Sequence, residues 1–498
     1  MSPYEVTFMS LARHASRSRT LFACGLLTAA LVGANEARAS GLSTARFGGE
    51  HGHVTTDNPT AIYYNPAGIA LKPGTRIFVD GSFAARWVSY DRPESAINSD
   101  TGTPEGATDA NAGVAKLSNF IAGPFAGASS DFGTKFFSAG AAVYFPFGGQ
   151  STWKPNEKYR GSQDYPGAVD GVQRWHTIDG KLRSMYITGA VAFNIAKIGL
   201  SIGLSGSAIR SEIDTIRARN ADGTDDLVLS DGTLKEGRSW LKASGWQGSF
   251  GIGAIWNWRD KLWIGASYTS RPNITGNMTL KGDLSNALGT AAVAPATPIE
   301  LQQRLPDIVR FGFRVRPVPK LELRLFGDFT NWKVMDKQCV LDATKADRQC
   351  DFANADTALT DPASYGGDGP DDNVKNVTQN IPRFWKPAGG VRFGASYWVI
   401  EAVELYAGVG FDSSAVPVQT IEPALLDSNK MTFSLGGRFR LHQRLHLGLT
   451  FTDIAYFKVD TKGRNVLNKF QAPTKAASAD GIYKQNIFLT NLYLDVNF

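Results

Sequence analysis

The segment Ile198-Gly199-Leu200-Ser201-Ile202-Gly203-Leu204-Ser205 alternates aliphatic side chains with glycine and serine. Successive side chains of a β-strand point to opposite faces, so this pattern gives one aliphatic face and one face of small residues. Residues 309–316 and 445–452 follow the same rule, and three arginines lie on the polar face of 309–316. The repeat therefore predicts strands with one apolar and one polar face.

The same alternation recurs from residue 75 to the end of the chain. A soluble sandwich has no reason to sort its connections by length, whereas an outer-membrane barrel has short turns at one end, long loops at the other and an even strand count. Here six short connections alternate with seven long ones, of which 336–383 is the longest. We therefore predict an all-β fold, a 14-stranded antiparallel transmembrane β-barrel. The expected strands are 75–90, 116–127, 132–147, 183–195, 197–215, 240–258, 261–277, 305–316, 320–335, 384–398, 401–416, 430–441, 444–460 and 483–498.

The N-terminus has the features of an export signal. Arg13, Arg17 and Arg19 precede an apolar stretch at 20–33, and Ala37-Arg38-Ala39 offers a cleavage site of small residues. We expect a signal peptide over 1–39, an N-terminal segment over 40–74 and the barrel over 75–498.

Composition excludes several classes of protein. The chain has 498 residues, of which 20% are charged and 11% aromatic, so it is too apolar for a disordered protein. Its net charge of +6 is not gathered into a basic run that would fit nucleic acid. Gly199-Leu200-Ser201-Ile202-Gly203 matches the G-x-S-x-G pattern of hydrolases but lies in mid-strand, where that motif cannot form its sharp turn. We expect no enzyme activity, no cofactor and no metal.

Two further features follow from the exported state. Cleavage removes Cys24, so Cys339 and Cys350 remain in a polar segment, where we expect them to form a disulfide. The last strand is apolar at 492, 494, 496 and 498, and it ends on Phe498. This ending resembles the signal that the outer-membrane barrel assembly machinery reads.

Residues 40–74 do not alternate. They contain Asn58-Pro59 and Asn65-Pro66-Ala67-Gly68, and Asn-Pro pairs favour turns. We expect a compact plug inside the barrel; a mobile exported N-terminus remains the alternative.

Several motifs along the chain resemble the FadL family, outer-membrane channels for long-chain fatty acids and aromatic hydrocarbons. Gly41-Leu42-Ser43-Thr44-Ala45-Arg46 is followed by Asn65-Pro66-Ala67-Gly68, as at the start of that family. The further matches are Tyr144-Phe145-Pro146-Phe147-Gly148, Asp328-Phe329-Thr330-Asn331-Trp332 and the stretch 410–418. The resemblance covers nearly all of 40–498 and implies passive uptake, with capture at outer loops, a lumen pocket and a hatch at 40–74.

The resemblance also implies roles for particular residues. Exit would be lateral, through a kink at Pro146, Phe147 and Gly148, although an ordinary strand end explains Pro146 equally well. Arg210 and, more weakly, Lys337 match positions that would hold a ligand carboxylate in the lumen. Arg210 could instead only balance lumen carboxylates.

Two alternatives to fatty-acid uptake stay open. The channel could carry monoaromatic hydrocarbons, or the barrel could be an adhesin or receptor that displays its 336–383 loop. The expected partners are hydrophobic small molecules, outer-membrane lipid and lipopolysaccharide, and the assembly machinery. We expect a monomer.

Overall fold

The alternating segments form β-strands in a computed structural model that describes residues 46–287, 289, 294–367 and 373–498. The predicted signal peptide and the first six residues of the predicted hatch lie outside these residues. The strands of the N-terminal half are β1 Thr75–Arg92, β2 Gly113–Ser130, β3 Phe137–Thr152, β4 Asp179–Ile195, β5 Leu200–Arg219, β6 Gly237–Trp258, β7 Leu262–Thr269, β8 Met278–Ala287, β9 Thr297–Gln303 and β10 Ile308–Val318. Those of the C-terminal half are β11 Leu321–Thr330, β12 Lys337–Asp342, β13 Gln349–Asp351, β14 Asn373–Lys375, β15 Val377–Pro382, β16 Ala388–Ile400, β17 Val403–Asp412, β18 Lys430–His442, β19 Leu445–Tyr456, β20 Val459–Asp460 and β21 Ile482–Asn497.

These strands close into one antiparallel barrel. The first strand, β1, pairs with β2 on one side and with the last strand, β21, on the other. The barrel wall has fourteen strand positions, which we call staves. Nine staves are single strands, and five consist of two successive strands: β7 with β8, β9 with β10, β11 with β12, β15 with β16, and β19 with β20. The barrel therefore has the fourteen staves that the sequence predicts, and β13 and β14 form a separate small ladder.

Two of the predicted long loops are partly wrong. The stretch 278–304 contains β8 and β9, and 336–383 contains β12 and β15. These strands continue the barrel wall beyond its apolar belt, and the outward side chains of β8 include exposed Lys281 and Asp283 instead of aliphatic residues. The apolar side chains of β8, such as Leu280 and Leu284, are buried on the lumen side, so β8 lacks the outward apolar face that marks the membrane-spanning strands. For the same reason β3 extends to Thr152, past the predicted end at 147, through Gly148, Gly149 and Gln150.

The apolar face points outward along the staves. Ile202 and Leu204 of β5 are 38% and 49% exposed, while Ser201 and Ile209 on the other face are buried. Such an arrangement suits a wall that faces lipid outside and a filled lumen inside.

The helices are short. Those of the α type are Ala61–Tyr64 and Thr108–Asn111. The 3₁₀ turns are Gly49–His51, Pro66–Ala70, Glu94–Ala96, Glu157–Tyr159, Pro166–Asp170, Ala196–Ile198, Trp332–Val334, Pro362–Ser364 and Leu467–Lys469. No helix of the described ranges is long and apolar enough to cross a membrane.

Candidate functional site: the lumen cavity and its hatch

Residues 46–74, which we call the hatch, fold inside the barrel. Phe47 and Tyr63 are buried against the wall residues Phe125 and Tyr144. The ring centroids of Phe47 lie 5.3 Å from those of Phe125 and 5.6 Å from those of Tyr144. Because this contact is aromatic on both sides, the hatch shares a hydrophobic core with the wall.

Asn65 ties the Asn-Pro-Ala-Gly motif to the wall. Its side-chain oxygen accepts a hydrogen bond from Ala67 N and so caps the 3₁₀ turn Pro66–Ala70. Its amide nitrogen lies 3.1 Å from Ala254 O and 3.2 Å from Ala266 O, on two wall strands. An amide side chain both donates and accepts, so asparagine can hold the turn and the wall together.

The wall opposite this motif lacks side chains. A Cβ on Gly203 of β5 would lie 2.3 Å from Ala67 N, and one on Gly253 of β6 would lie 2.0 Å from Asn65 Oδ1. Gly203, on the small-residue face of the segment 198–205, and Gly253 therefore form the surface on which the hatch packs, which we call its seat. Only glycine allows the two backbones to approach so closely.

Charged groups anchor the end of the hatch nearest the short turns. Asp57 Oδ2 lies 3.1 Å from Arg314 Nη1, and Asp57 Oδ1 lies 3.2 Å from Lys72 Nζ and 3.8 Å from Arg76 Nη1. Arg314 and Arg76 belong to the wall, so one hatch carboxylate binds two wall arginines. Such buried pairs are costly to break from one side.

Beyond the hatch, toward the long loops, the lumen holds a cavity of about 1040 Å³, including its open mouth. Aliphatic residues from strands on both sides of the lumen line the cavity together with polar and charged side chains. The main apolar residues are Leu182, Ile213, Leu241, Leu301, Ile381 and Ile487.

Three arginines also line this cavity. Arg86 donates to Gln485 Oε1 from Nη2, at 2.8 Å, and from Nε, at 3.2 Å. Arg383 donates to Gln338 Oε1 from Nη2, at 2.6 Å. The guanidinium of Arg217 differs, because it makes no hydrogen bond or ion pair with any residue that the structure describes.

The loop between β17 and β18 covers part of the cavity. Its Leu425 and Leu426 line the cavity, and its Glu422 is fixed by Arg383 Nη1, at 2.5 Å, and His176 Nδ1, at 3.1 Å. Burial alone would raise the pKa of Glu422, but the charge of Arg383 and the hydrogen bond of His176 outweigh it and hold the pKa below its ordinary value. Burial lowers the pKa of His176 in spite of this carboxylate.

The ladder between β2 and β3 is interrupted. It pairs Phe125 with Tyr144 and continues to the short turn, but in the other direction the next pair is the isolated bridge between Leu117 and Trp153. Pro124 directly precedes Phe125 in β2. In the register of this ladder, Gly123 would face Pro146.

Pro124 and Pro146 lie at the same level, one on each side of the gap. Because alternate residues of a strand direct their N–H groups to a given neighbour, one of these two prolines withholds a donor from this ladder. The register of β3 on its other neighbour, β4, also shifts between Tyr144 and Phe147, which marks a bulge. Gly149, beyond this bulge, lines the cavity, as does Ser151. The cavity therefore reaches the interrupted edge.

The placement of Arg210 in the lumen is wrong. On β5 the residues Ile213 and Arg217 line the cavity, and they are separated from Arg210 by odd numbers of residues. Arg210 instead shares the outward face of Ile202 and Leu204, since side chains alternate along a strand. Its Nε lies 3.2 Å from Glu212 Oε1, and its Cζ lies 5.7 Å from the ring centroid of Trp246.

Lys337 is also misplaced. Its Nζ lies 2.8 Å from Asp336 Oδ2, and the cavity is lined by the next residue, Gln338, which faces the other way. Lys337 is therefore not a cavity cation.

The predicted disulfide and the predicted assembly signal lie at opposite ends of the barrel. Cys339 of β12 and Cys350 of β13 form a disulfide near the long loops. Phe498 follows the closing strand β21, and its backbone N donates to Thr75 O at 2.8 Å. Phe498 is 60% exposed.

Sequence reasoning missed Arg217, Pro124 and Glu422. The alternation of β5 could have placed Arg217 in the lumen, and Gly123-Pro124 could have flagged a broken edge. The pairing of Glu422 with Arg383 and His176 has no local signal, because the three residues come from three distant loops.

Comparison with known proteins agrees with this architecture. Residues 20–488 match the family model described as outer membrane protein transport protein (OMPP1/FadL/TodX). A putative outer membrane protein of Neisseria meningitidis serogroup B is 24% identical over 420 residues, covering 82% of this chain and 84% of that protein.

Two solved structures share the fold. A FadL homologue of Pseudomonas aeruginosa has 17% identity and a TM-score of 0.69, with 93% of this chain and 100% of that chain covered. The toluene transporter TbuX of Ralstonia pickettii has 11% identity and a TM-score of 0.56, with 93% and 97% covered. The chain is an outer-membrane β-barrel of a Gram-negative bacterium, and it belongs to the FadL/TodX family of channels for the uptake of hydrophobic compounds.

Proposed function

We propose that this channel carries long-chain fatty acids, by passive uptake through the lumen cavity. The observation that carries the proposal is Arg217, one of three arginines that line the cavity and the one whose guanidinium makes no hydrogen bond or ion pair with the described residues. Desolvating a charge without a partner is unfavourable. A ligand carboxylate would supply that partner.

The cavity matches both parts of such a ligand. The aliphatic wall formed by Leu182, Ile213 and Leu241 suits an acyl chain, and it adjoins Arg217 on β5. Arginine binds carboxylates through two parallel hydrogen bonds. A monoaromatic hydrocarbon, such as the toluene named for TbuX, would fill apolar space but leave the guanidinium without a hydrogen-bonding partner.

The route that we propose begins at the outer loops and ends at the membrane. The ligand enters the cavity, the hatch with Asn65, Pro66, Ala67 and Gly68 blocks the axial path, and a movement of the hatch precedes release. Exit is lateral, at the interrupted edge of β2 and β3 beside Pro146, Phe147 and Gly148. An apolar solute released there meets lipid directly, which no axial exit allows.

Biogenesis and assembly state belong to the same proposal. We propose that the assembly machinery reads the closing strand through Phe498. The barrel closes on itself through β1 and β21, so its ladder offers no open edge that would require a partner chain, and we propose a monomer.

Binding of oleate and of toluene to the purified protein in detergent tests the substrate. We expect the wild type to bind oleate, and Arg217→Met to weaken that binding at least about ten-fold, because one charge-assisted contact is lost. Arg440→Met is the matched control, since Arg440 is exposed at the short-turn end and pairs only with exposed Glu401. Its oleate affinity should equal that of the wild type.

Other outcomes would contradict the proposal in distinct ways. Toluene binding without oleate binding, unchanged in Arg217→Met, would make this a hydrocarbon channel. Equal oleate binding by wild type and Arg217→Met would retain a fatty-acid channel but remove Arg217 as its counter-ion. Binding of neither compound would overturn the fatty-acid and toluene assignments together.

A further inference from the structure

We propose that the outer wall formed by β4, β5 and β6 binds the phosphate groups of lipid A, through Arg183 and Arg210. Arg210 is the residue that the sequence placed in the lumen and that the structure places outside. The proposal concerns the lipid around the barrel and does not depend on which compound the channel carries.

The outward face of β5 changes character at Arg210. Below it lie Ile202, Leu204, Gly206 and Ala208, and above it lies Glu212. Arg210 is ten residues beyond the start of β5, which at about 3.3 Å per residue and a strand tilt of about 40° is about 25 Å above the short-turn end. This height equals that of the apolar band of an outer-membrane barrel.

The neighbouring strands change at the same level. Arg210 is opposite Met185 of β4 and Trp246 of β6. One step further toward the long loops, Arg183 of β4 is opposite Glu212. Trp246 is 54% exposed, as expected for a tryptophan at a membrane interface. The apolar belt thus ends on three strands at one height, and charge begins there.

The two arginines are held in place by one carboxylate. Arg183 Nε lies 2.9 Å from Glu212 Oε2, and Arg210 Nε lies 3.2 Å from Glu212 Oε1. Arg210 Nη2 also donates to Ser244 Oγ, at 3.1 Å. These contacts occupy Nε and Nη2 of Arg210, while its Nη1 makes no hydrogen bond with the described residues. Both side chains are about one third exposed, so an approaching anion can reach them.

Further cations surround this pair. Lys242 of β6 and Lys281 of β8 are exposed on the same outward face. Against them stand Asp214, which accepts from Trp240 Nε1 at 2.7 Å, and Asp283. Lys181, opposite Asp214, and Asp179 lie on the same outward face of β4, so five cations face four carboxylates, counting Glu212. The exposed lysines extend the positive surface beside the arginines.

The positive charge of this surface and its depth in the membrane determine which ligand fits it. The group that lies against the upper edge of the apolar band is the headgroup of the outer leaflet, which in a Gram-negative outer membrane is the phosphorylated disaccharide of lipid A. Arginine suits phosphate because its planar donors match two phosphate oxygens. Lipid A brings both the phosphates and the acyl chains, which would cover the exposed apolar residues just below Arg210, Ile187 opposite Ala208 and Phe250 opposite Gly206.

Binding of diphosphorylated lipid A to the full chain in detergent tests the site. The variant is Arg183→Gln with Arg210→Gln, and the control is Arg259→Gln with Arg440→Gln, which removes the same charge at the short-turn end, where both arginines are exposed. We expect the first pair to weaken lipid A binding about ten-fold or more, and the control pair to leave it unchanged. A difference in gel migration between the unheated and the heated protein verifies that both variants are folded.

Two comparisons decide the source of the anion. Dephosphorylated lipid A should bind the wild type as weakly as diphosphorylated lipid A binds the Arg183/Arg210 variant. Equal loss in the control pair would show a general charge effect and overturn the site. Equal binding of phosphatidylglycerol at the same arginines would assign them to any anionic headgroup and overturn the choice of lipid A.

Discussion

Arg210 and Arg217 lie on the same strand, β5, but face opposite sides of the barrel wall, because they are seven residues apart. Arg210 contacts Glu212 and Trp246 on the outer surface, whereas Arg217 lines the lumen cavity. Two arginines of one strand therefore lie in two different environments, the outer surface of the wall and the lumen cavity.

The seat of the hatch gives the first prediction. Gly203→Ala places a Cβ 2.3 Å from Ala67 N, so we expect the hatch to shift at an overpacking cost of about 1–3 kcal/mol. Single-channel conductance in planar bilayers should rise as the axial path opens. Gly206→Ala, three residues along the same strand, is the control, because no atom lies within 4 Å of its added Cβ. Equal conductance of the two variants would show that Gly203 does not seat the hatch.

The interrupted ladder between β2 and β3 gives the second prediction. Gly149 lines the cavity beside the break in the β2–β3 ladder, so Gly149→Phe should narrow the passage from cavity to lipid. We expect oleate uptake by cells to fall several-fold while oleate binding by the purified protein is retained. The control is Gly189→Phe on β4, where an added Cβ meets no atom within 4 Å. Undiminished uptake in Gly149→Phe would argue against lateral exit.

The loop that covers the cavity should respond to acid. His176 has a pKa below its ordinary 6.5 and Glu422 one below its ordinary 4.5, so the folded protein binds fewer protons than the unfolded chain. The free energy of unfolding should therefore be highest above pH 6.5, fall as the pH drops through 6.5, and fall again below 4.5.

Urea unfolding from pH 8 to pH 4, followed by tryptophan fluorescence, measures this dependence. His176→Gln should make the decrease that begins at 6.5 smaller, whereas His442→Gln, in an exposed short turn, should leave it unchanged. Glu422→Gln leaves the buried Arg383 without its carboxylate, and we expect a loss of about 3 kcal/mol at pH 7.5. A wild-type free energy that is flat across this range would contradict the assignment.

The disulfide gives the last prediction. Cys339 and Cys350 are eleven residues apart and join β12 to the loop above it. A ring of this size contributes roughly 3 kcal/mol in the chain-entropy model. Replacing both cysteines by alanine should speed tryptic cleavage after Lys345, inside the ring, and leave cleavage after Lys158, in a different loop, at the wild-type rate. Equal rates at Lys345 would mean that the loop is held by its other contacts.

The alternation of side chains determined much of this protein from sequence. It predicts the fourteen staves, the sorting of turns and loops, and the outward apolar face, because a period of two is a local property of each strand. It fails for β8, β9, β12 and β15, where the wall has left the apolar belt and its outward face is polar. The alternation of residues along β5 also determines that Arg217 faces the lumen. The positional match to the family had instead placed Arg210 in the lumen.

Only the tertiary structure decided the rest. Asn65 meets wall strands β6 and β7 near residues 254 and 266, and Glu422 meets Arg383 and His176, through contacts between segments far apart in the chain. The break between β2 and β3 likewise needs Pro124 and Pro146 at one level, which depends on the register of two strands. Local periodicity determines on which face of the wall a side chain lies. Strand register and barrel closure determine which residues it contacts, and those contacts form the cavity.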